Sequence, residues 1–258
     1  MSTLRIGWCC LIAMFAASAT PTHADIVRLD VRPGVKLPVH YVKRDGAKAT
    51  LILIPGGVGG LGKLNGSEPT SNNFLVRSRA HFADAGFNVA IMGRPQDQSD
   101  MTYELRLGAD HLADIRKIVD FVKADSGLPV WLVGTSRGSV SAAAAAIAFP
   151  PDMLAGIVLS SGVVRDKPGA LPDQKLATIR VPVLLVHHQR DACPICRPGD
   201  LPRVLEALTQ APVKKLVMLD AGGPPEGGAC EALHFHGFIG MEREAARAIT
   251  DWVAKPVR

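Results

Sequence analysis

The chain has 258 residues, of which 47% are hydrophobic and 21% are charged. This length and composition suit a globular domain with a large core and exclude a disordered chain. The formal net charge is +5, but the basic residues are spread along the sequence and form no run. A nucleic-acid-binding surface needs clustered basic residues, so we expect no nucleic-acid partner.

The N-terminus has the pattern of a secretory signal. Arg5 is the only charged residue before Asp25, and residues 6–19 are apolar and mostly small. This stretch is shorter than the roughly 20 residues that a membrane span needs. We therefore expect a signal peptide over residues 1–24, cleaved after Ala24 or alternatively after Ala19. The mature chain is expected to be exported, periplasmic or secreted, and free of a stable membrane anchor.

Residues 25–258 alternate between strand and helix patterns and contain no long linker. The predicted strands lie in an extended region over 26–41, then at Thr50–Ile54, 88–92, 129–133, 156–159, 183–186 and 215–219. The predicted helices cover 72–85, with Asn72 as the cap, and 109–124, 139–149, 201–208 and 241–253. Alternating strands and helices predict one α/β domain with three layers, a mostly parallel sheet flanked by helices on both faces.

The strand pattern before Gly134 runs directly into Gly134-Thr135-Ser136-Arg137-Gly138, and an alanine-rich helix pattern follows. Gly-x-Ser-x-Gly between a strand and a helix is typical of a nucleophile elbow, where a strained backbone exposes the serine hydroxyl. Side chains at Gly134 and Gly138 would collide where strand and helix close together. Ser136 is therefore the candidate nucleophile. Ser139 and Ser141 lie in the helix and are predicted to be packing residues.

A serine hydroxyl is a weak nucleophile without a neighbouring base. The chain order that accompanies such an elbow is serine, acid, histidine. Asp191 follows the strand pattern at 183–186, and His236 lies in the loop after the last strand. Asp220 is the reserve acid and His234 the reserve base.

Two further histidines, His187 and His188, end the strand before Asp191. We predict that they are pocket-wall or surface residues with no catalytic part.

The sequence resembles the α/β-hydrolases over most of residues 26–258. The resemblance rests on the Gly-rich turn, the elbow, the acid after the penultimate strand and the His-Gly-Phe before the last helix. It implies the α/β-hydrolase fold. It also implies that Ser136 is the nucleophile, that His236 is the base and acid, and that Asp191 orients the imidazole.

An oxyanion hole needs two backbone N–H groups. The resemblance implies that one belongs to Arg137 and the other to the turn over residues 55–60. Pro55 stands where the family usually has a histidine. Gly57 is the preferred donor, ahead of Val58, because a glycine lets the backbone approach the substrate closely.

Three cysteines remain after the predicted signal: Cys193, Cys196 and Cys230. In an oxidising compartment two of the three are expected to pair. If the triad is right, the acid and histidine loops are neighbours, and a Cys193–Cys230 disulfide would tie them together. Cys196 is an alternative partner. A redox Cys-x-x-C site and a His/Cys metal site are weaker interpretations, so we expect no metal.

The turn after Thr50–Ile54 also approximates two nucleotide-binding motifs through Gly57, Gly59 and Gly62-Lys63. Leu64 occupies the position where a phosphate-binding loop needs serine or threonine. A loop follows the glycines, whereas both motifs require a helix N-terminus. We therefore expect neither a nucleotide nor another cofactor.

The expected function is hydrolysis of an ester or related acyl bond in a small-molecule substrate, through an acyl-enzyme on Ser136. A thioesterase, amidase or peptidase of the same fold stays open. A non-catalytic binding protein on this scaffold would normally have lost a triad member. Short loops over 57–71, 93–107 and 162–178 are expected to roof an open pocket.

Overall fold

A computed structural model describes residues 23–257. The predicted signal lies outside the described residues, apart from His23 and Ala24, which begin the first strand. Cleavage after Ala24 would remove these two residues from the strand, whereas cleavage after Ala19 would leave the strand whole. Among the helices of the described chain, none has the length and apolar character of a membrane span.

Strands and helices alternate along most of the described chain. The strands are β1 (His23–Arg32), β2 (Val35–Lys43), β3 (Thr50–Ile54), β4 (Leu64–Asn65), β5 (Glu68–Pro69), β6 (Asn88–Met92), β7 (Val130–Thr135), β8 (Gly156–Ser160), β9 (Val183–His188) and β10 (Lys214–Leu219). The α-helices are α1 (Phe74–Arg77), α2 (Arg79–Asp84), α3 (Tyr103–Leu107), α4 (Ala109–Ser126), α5 (Arg137–Ala148), α6 (Leu201–Ala207) and α7 (Glu242–Ala254).

Eight strands form one sheet in the order β1-β2-β6-β3-β7-β8-β9-β10. The pairs β1–β2 and β2–β6 are antiparallel, and the other neighbours are parallel. The prediction of a mostly parallel sheet is confirmed. β4 and β5 form a small hairpin after the Gly-rich turn. No helix begins there, which agrees with the argument against a phosphate-binding loop.

Helices cover both faces of this sheet, as the central strand β3 illustrates. All five of its residues are buried, and they alternate between two cores. Ile52 and Ile54 belong to the core beneath α4, α5 and α6, while Leu51 and Leu53 belong to the core beneath α1, α2 and α7. A strand buried on both faces has no polar side. The predicted three-layer α/β architecture is confirmed.

Two predicted helix starts are wrong. Asn73, not Asn72, caps α1, because its side-chain oxygen accepts the N–H of Leu75 at 3.1 Å. The predicted single helix is also divided at Ser78, whose N–H donates to carbonyls of the preceding turn. The helix after the elbow begins at Arg137, two residues earlier than predicted, because the chain turns within the single residue Ser136.

The parallel strands bring the candidate residues to one edge of the sheet. Gly57 follows the carboxyl end of β3, and Ser136 follows that of β7. Asp191 follows β9, and His236 lies in the loop after β10. In a parallel sheet these ends lie side by side, which is where ligands and catalytic groups gather.

Candidate active site

The backbone at Ser136 forms a sharp elbow between β7 and α5. Ser136 has φ 52° and ψ −125°, a conformation that L-residues rarely adopt. A Cβ added to Gly134 would lie 2.2 Å from the carbonyl oxygen of Gly138, and one added to Gly138 would lie 2.0 Å from that of Ile54. Only glycine fits at these two positions, for the steric reason predicted from the sequence.

His236 and Asp191 form a buried hydrogen-bonded pair. The Nδ1–H of His236 donates to Oδ2 of Asp191 at 2.8 Å. The other ring nitrogen, Nε2, is buried and has no hydrogen-bond partner among the described residues. His236 and Ser136 line the same cavity. The structure thus brings His236 into contact with Asp191 and places it on the cavity that Ser136 lines.

A second histidine also contacts the acid. His187 is fully buried, and its Nε2 lies 3.0 Å from Oδ2 of Asp191 and 2.8 Å from the carbonyl oxygen of Cys196. Both neighbours are acceptors, so Nε2 carries the proton. Nδ1 is buried without a partner among the described residues. The prediction of a pocket-wall or surface residue is wrong, because the end of β9 lies beneath the acid loop.

These contacts control the charge of Asp191. Burial alone would raise the pKa of its carboxyl group. Hydrogen bonds from His187 and His236 outweigh the burial and hold the pKa well below its usual range. Asp191 is therefore a carboxylate at neutral pH and an acceptor for the imidazole.

The other polar residues at this edge have different partners. His188 is buried, and its Nε2–H donates to the carbonyl of Ala221 at 2.8 Å, so the surface prediction is wrong here too. Asp220 is half-exposed and accepts a 2.7 Å hydrogen bond from Arg190, which removes it as the reserve acid. The ring of His234 contacts the ring of Phe235.

Two residues that the sequence analysis missed hold the His236 loop in place. The hydroxyl of Ser161, just beyond β8, donates to the carbonyl of His236 at 2.7 Å. Nη2 of Arg77 donates to the carbonyl of Gly237 at 2.5 Å and pairs with Glu242 at 3.0 Å. Ser161 has a positive φ of 44°. No local pattern in the sequence marks either residue.

The predicted oxyanion turn lies directly against the elbow. A Cβ on Gly56 would come within 2.7 Å of the Cβ of Ser136, so the turn could not approach this closely with any larger residue. Gly57 has φ +56° and lines the cavity. Gly57 and Arg137 remain the predicted donors.

A buried arginine donates hydrogen bonds to the backbone of this turn. Arg106 is 1% exposed and donates to the carbonyl oxygens of Pro55 at 3.1 Å and Gly57 at 3.2 Å. It also donates to the carbonyl of Met101 and to Oγ of Ser141. Burial, with a contribution from the nearby charge of Arg137, lowers the pKa of Arg106 to about 9, so it stays charged at neutral pH.

Ser139 and Ser141 are fully buried, as predicted for packing residues, and their hydroxyls are also hydrogen-bonded. Ser141 accepts from Arg106 and lies 2.8 Å from Nε2 of His111. Burial lowers the pKa of His111 to about 3, so this histidine is neutral. The hydroxyl of Ser139 donates to the carbonyl of Ser136 at 2.7 Å. Both serines sit in the first turns of α5, where they brace the elbow and the arginine.

Arg106→Lys is expected to lower kcat about 100-fold with a much smaller change in KM. Lysine cannot hold the Pro55 and Gly57 carbonyls with a planar fork, and a small displacement of oxyanion donors has an effect of this size. Steady-state ester hydrolysis tests this, with Arg116→Lys on the exposed face of α4 as the matched control. A folded Arg106→Lys enzyme with kcat within threefold of wild type would contradict it.

A disulfide joins the acid loop to the histidine loop. Cys193 and Cys230 are bonded with their Cα atoms 4.6 Å apart, the pair that the sequence analysis favoured. Cys196 is a buried free thiol. Cys193, Cys196 and a ring nitrogen of His236 come within 4.8 Å of one another. The sulfur of Cys193 is engaged in the disulfide, so the cluster does not offer a thiolate pair to a metal.

The candidate site opens into a cavity of about 630 Å³. Residues 57–59 and 71 of the first predicted roof loop line it, but nothing from 93–107 or 162–178 does. The prediction is wrong for these two segments. In the first of them, α3 packs against α5 instead. The segment 226–233, ahead of His236, forms the opposite wall.

Comparison with known proteins identifies the fold. No protein-family model and no curated protein sequence matches the chain. Similar solved structures include a dienelactone hydrolase from Anabaena variabilis (TM-score 0.67, 18% identity, 92% of this chain and 99% of that one). An esterase from Pyrococcus furiosus has a TM-score of 0.66 at 14% identity, over 90% of this chain and 91% of that one.

A third similar structure is an alpha-beta serine hydrolase homologue from Coxiella burnetii, with a TM-score of 0.59, 15% identity, and coverage of 91% and 97% of the two chains. The chain has the α/β-hydrolase fold. Within this fold, the elbow at Ser136 and the loops carrying Asp191 and His236 occupy the carboxyl edge of the sheet.

Proposed function

We propose that the protein is a serine hydrolase that cleaves an ester or related acyl bond through an acyl-enzyme on Ser136. The observation that carries the proposal is the arrangement of His236. One of its ring nitrogens is hydrogen-bonded to a buried carboxylate, the other has no partner among the described residues, and His236 lines the same cavity as Ser136. An imidazole held in this way can accept a proton from a serine hydroxyl.

In the proposed mechanism, Oγ of Ser136 attacks the substrate carbonyl while Nε2 of His236 takes its proton. Asp191 stabilises the imidazolium, since its depressed pKa keeps it ionised. The N–H groups of Gly57 and Arg137 bind the oxyanion. His236 then protonates the leaving group, and the acyl-enzyme is released by a water molecule for which His236 is again the base.

A fluorophosphonate probe tests this proposal. The wild-type protein is expected to take one covalent label, because the probe reacts with an activated serine. Ser136→Ala is expected to take none, and Ser67→Ala, at an exposed serine, should label like wild type. A folded wild-type protein that takes no label would favour the non-catalytic binding protein.

We also propose that the chain is exported after removal of a signal. The Cys193–Cys230 disulfide supports this, because such bonds persist mainly in oxidising compartments. The protein isolated from its native cell envelope or medium is expected to begin at Asp25 or Thr20. It should show one free thiol, that of Cys196, under denaturing and non-reducing conditions. An uncleaved N-terminus or three free thiols would contradict export.

A further inference from the structure

The cavity beside Ser136 has a charge opposite to that of the whole chain. The protein has 29 lysine and arginine residues against 24 acidic ones. Among the described residues, those that line the cavity nevertheless include no lysine or arginine. They include two glutamates, Glu226 and Glu231, on the loop that leads to His236.

The carboxylates of Glu226 and Glu231 are exposed, and neither forms a salt bridge or side-chain hydrogen bond with the described residues. Three arginines near the site have acidic partners: Arg77 with Glu242, Arg137 with Asp100, and Arg190 with Asp220. The buried Arg106, under the Gly57 turn, donates to carbonyl and hydroxyl oxygens instead. No cation of the described chain therefore pairs with the two glutamates, and both residues line the cavity.

The loop that carries the glutamates is held in place. Cys230 lies between them and is tied to the acid loop by the disulfide. The N–H of Glu226 donates to the carbonyl of Leu233 at 2.8 Å, and that of Glu231 donates to Gly228 at the same distance. The Glu231 carboxylate folds over Gly227, where an added Cβ would lie 2.2 Å from its Oε2. A fixed loop can present its charges without a large ordering cost.

A separate observation points to a ligand in the same cavity. Nε2 of His236 is buried and has no hydrogen-bond partner within residues 23–257, and the His236 side chain is only 4% exposed. A buried polar atom without a partner is costly unless an incoming group satisfies it. The reacting end of a substrate would bind there, and the rest of the molecule would extend along the wall formed by residues 226–233.

The geometry points to a substrate class: esters or related acyl compounds that carry a positive charge, such as a quaternary ammonium group, near the scissile bond. This inference rests on the proposed function and adds the role of Glu226 and Glu231 as specificity-determining residues. Two unpaired carboxylates at the mouth of a cleft attract a cation and repel an anion. Their effect is screened by salt over about 10 Å at 0.1 M ionic strength.

Paired substrates test the inference on the disulfide-bonded mature protein. One pair is a choline ester and its uncharged carbon isostere, in which a tert-butyl group replaces the trimethylammonium group. The second pair carries the same two groups on the acyl side of a para-nitrophenyl ester, so the pairs distinguish the two ends of the substrate. We expect kcat/KM to be about tenfold higher for the cationic member of at least one pair at low salt, and the ratio to fall as salt rises.

The double variant Glu226→Gln/Glu231→Gln is expected to reduce this cationic preference to less than about twofold while leaving kcat/KM for the uncharged ester nearly unchanged. Glu206→Gln removes an exposed carboxylate on α6 outside the cavity and should keep the preference. Equal kcat/KM values for both members of both pairs, or a preference that survives in the double variant, would overturn the inference. Failure of the proposed function looks different, because then no ester is hydrolysed and no fluorophosphonate label is taken.

Discussion

Ser136→Ala is expected to lower kcat for ester hydrolysis about 10⁶-fold, the loss that accompanies removal of a triad nucleophile. The elbow should survive the substitution, because its hydrogen bonds come from the backbone. The N–H of Ser136 donates to the carbonyl of Ser160 at 3.0 Å, and its own carbonyl accepts from the N–H and the hydroxyl of Ser139. The variant therefore removes the hydroxyl and little else.

Single-turnover and steady-state hydrolysis of a para-nitrophenyl ester measure this effect, and thermal unfolding shows whether the fold is intact. Ser67→Ala is the matched control and should retain wild-type kcat. Residual activity above the water rate is expected, since oxyanion donors still bind the substrate. If a folded Ser136→Ala protein kept kcat within tenfold of wild type, Ser136 would not be the nucleophile.

Asp191→Asn is expected to lower kcat by about 10⁴-fold, as in triads where the same change disturbs the histidine tautomer. The structure gives a local reason. Oδ1 accepts the N–H of Cys193 at 2.9 Å, while Oδ2 faces the N–H groups of both His236 and His187. Three donors surround the carboxylate, and an asparagine amide offers one oxygen and one NH₂ group.

Either orientation of the amide leaves two donors facing each other. With the oxygen toward the histidines, the NH₂ group opposes the N–H of Cys193. With the oxygen toward Cys193, the NH₂ group opposes His236 Nδ1 and favours the tautomer that carries its proton on Nε2, where it cannot act as a base. Asp220→Asn, at the exposed partner of Arg190, is the control and should keep kcat within about twofold. A folded Asp191→Asn enzyme with near-normal kcat would remove Asp191 from the triad.

The fold could be predicted because its signals are local. A continuously apolar run such as β3 indicates a strand buried on both faces, and the glycines around Ser136 indicate a turn that larger residues cannot make. The predicted start of a helix was off by one residue where two adjacent residues were equally suited to cap it. Asn72 and Asn73 are both good helix caps by residue type, and only the direction of the side chain decides between them.

The supporting parts of the candidate site could not be predicted, because they depend on contacts between distant segments. Arg106 is separated by 51 residues from Pro55, and nothing in its neighbourhood distinguishes it from a surface arginine. The burial of His187 was not predicted, because it depends on the loop that folds over β9. The role of residues 226–233 as a cavity wall likewise depends on the disulfide that holds this loop near the acid.

Carbamoylation tests the central claim most directly, because a carbamoyl-enzyme is hydrolysed slowly enough to be isolated. The protein is treated with para-nitrophenyl dimethylcarbamate, and the intact mass and its peptides are measured as activity falls. We predict one equivalent of para-nitrophenolate, one dimethylcarbamoyl group on the hydroxyl of Ser136, and recovery of activity at the rate at which that group is lost. Normal ester hydrolysis by a protein whose adduct lies on another residue would contradict the account.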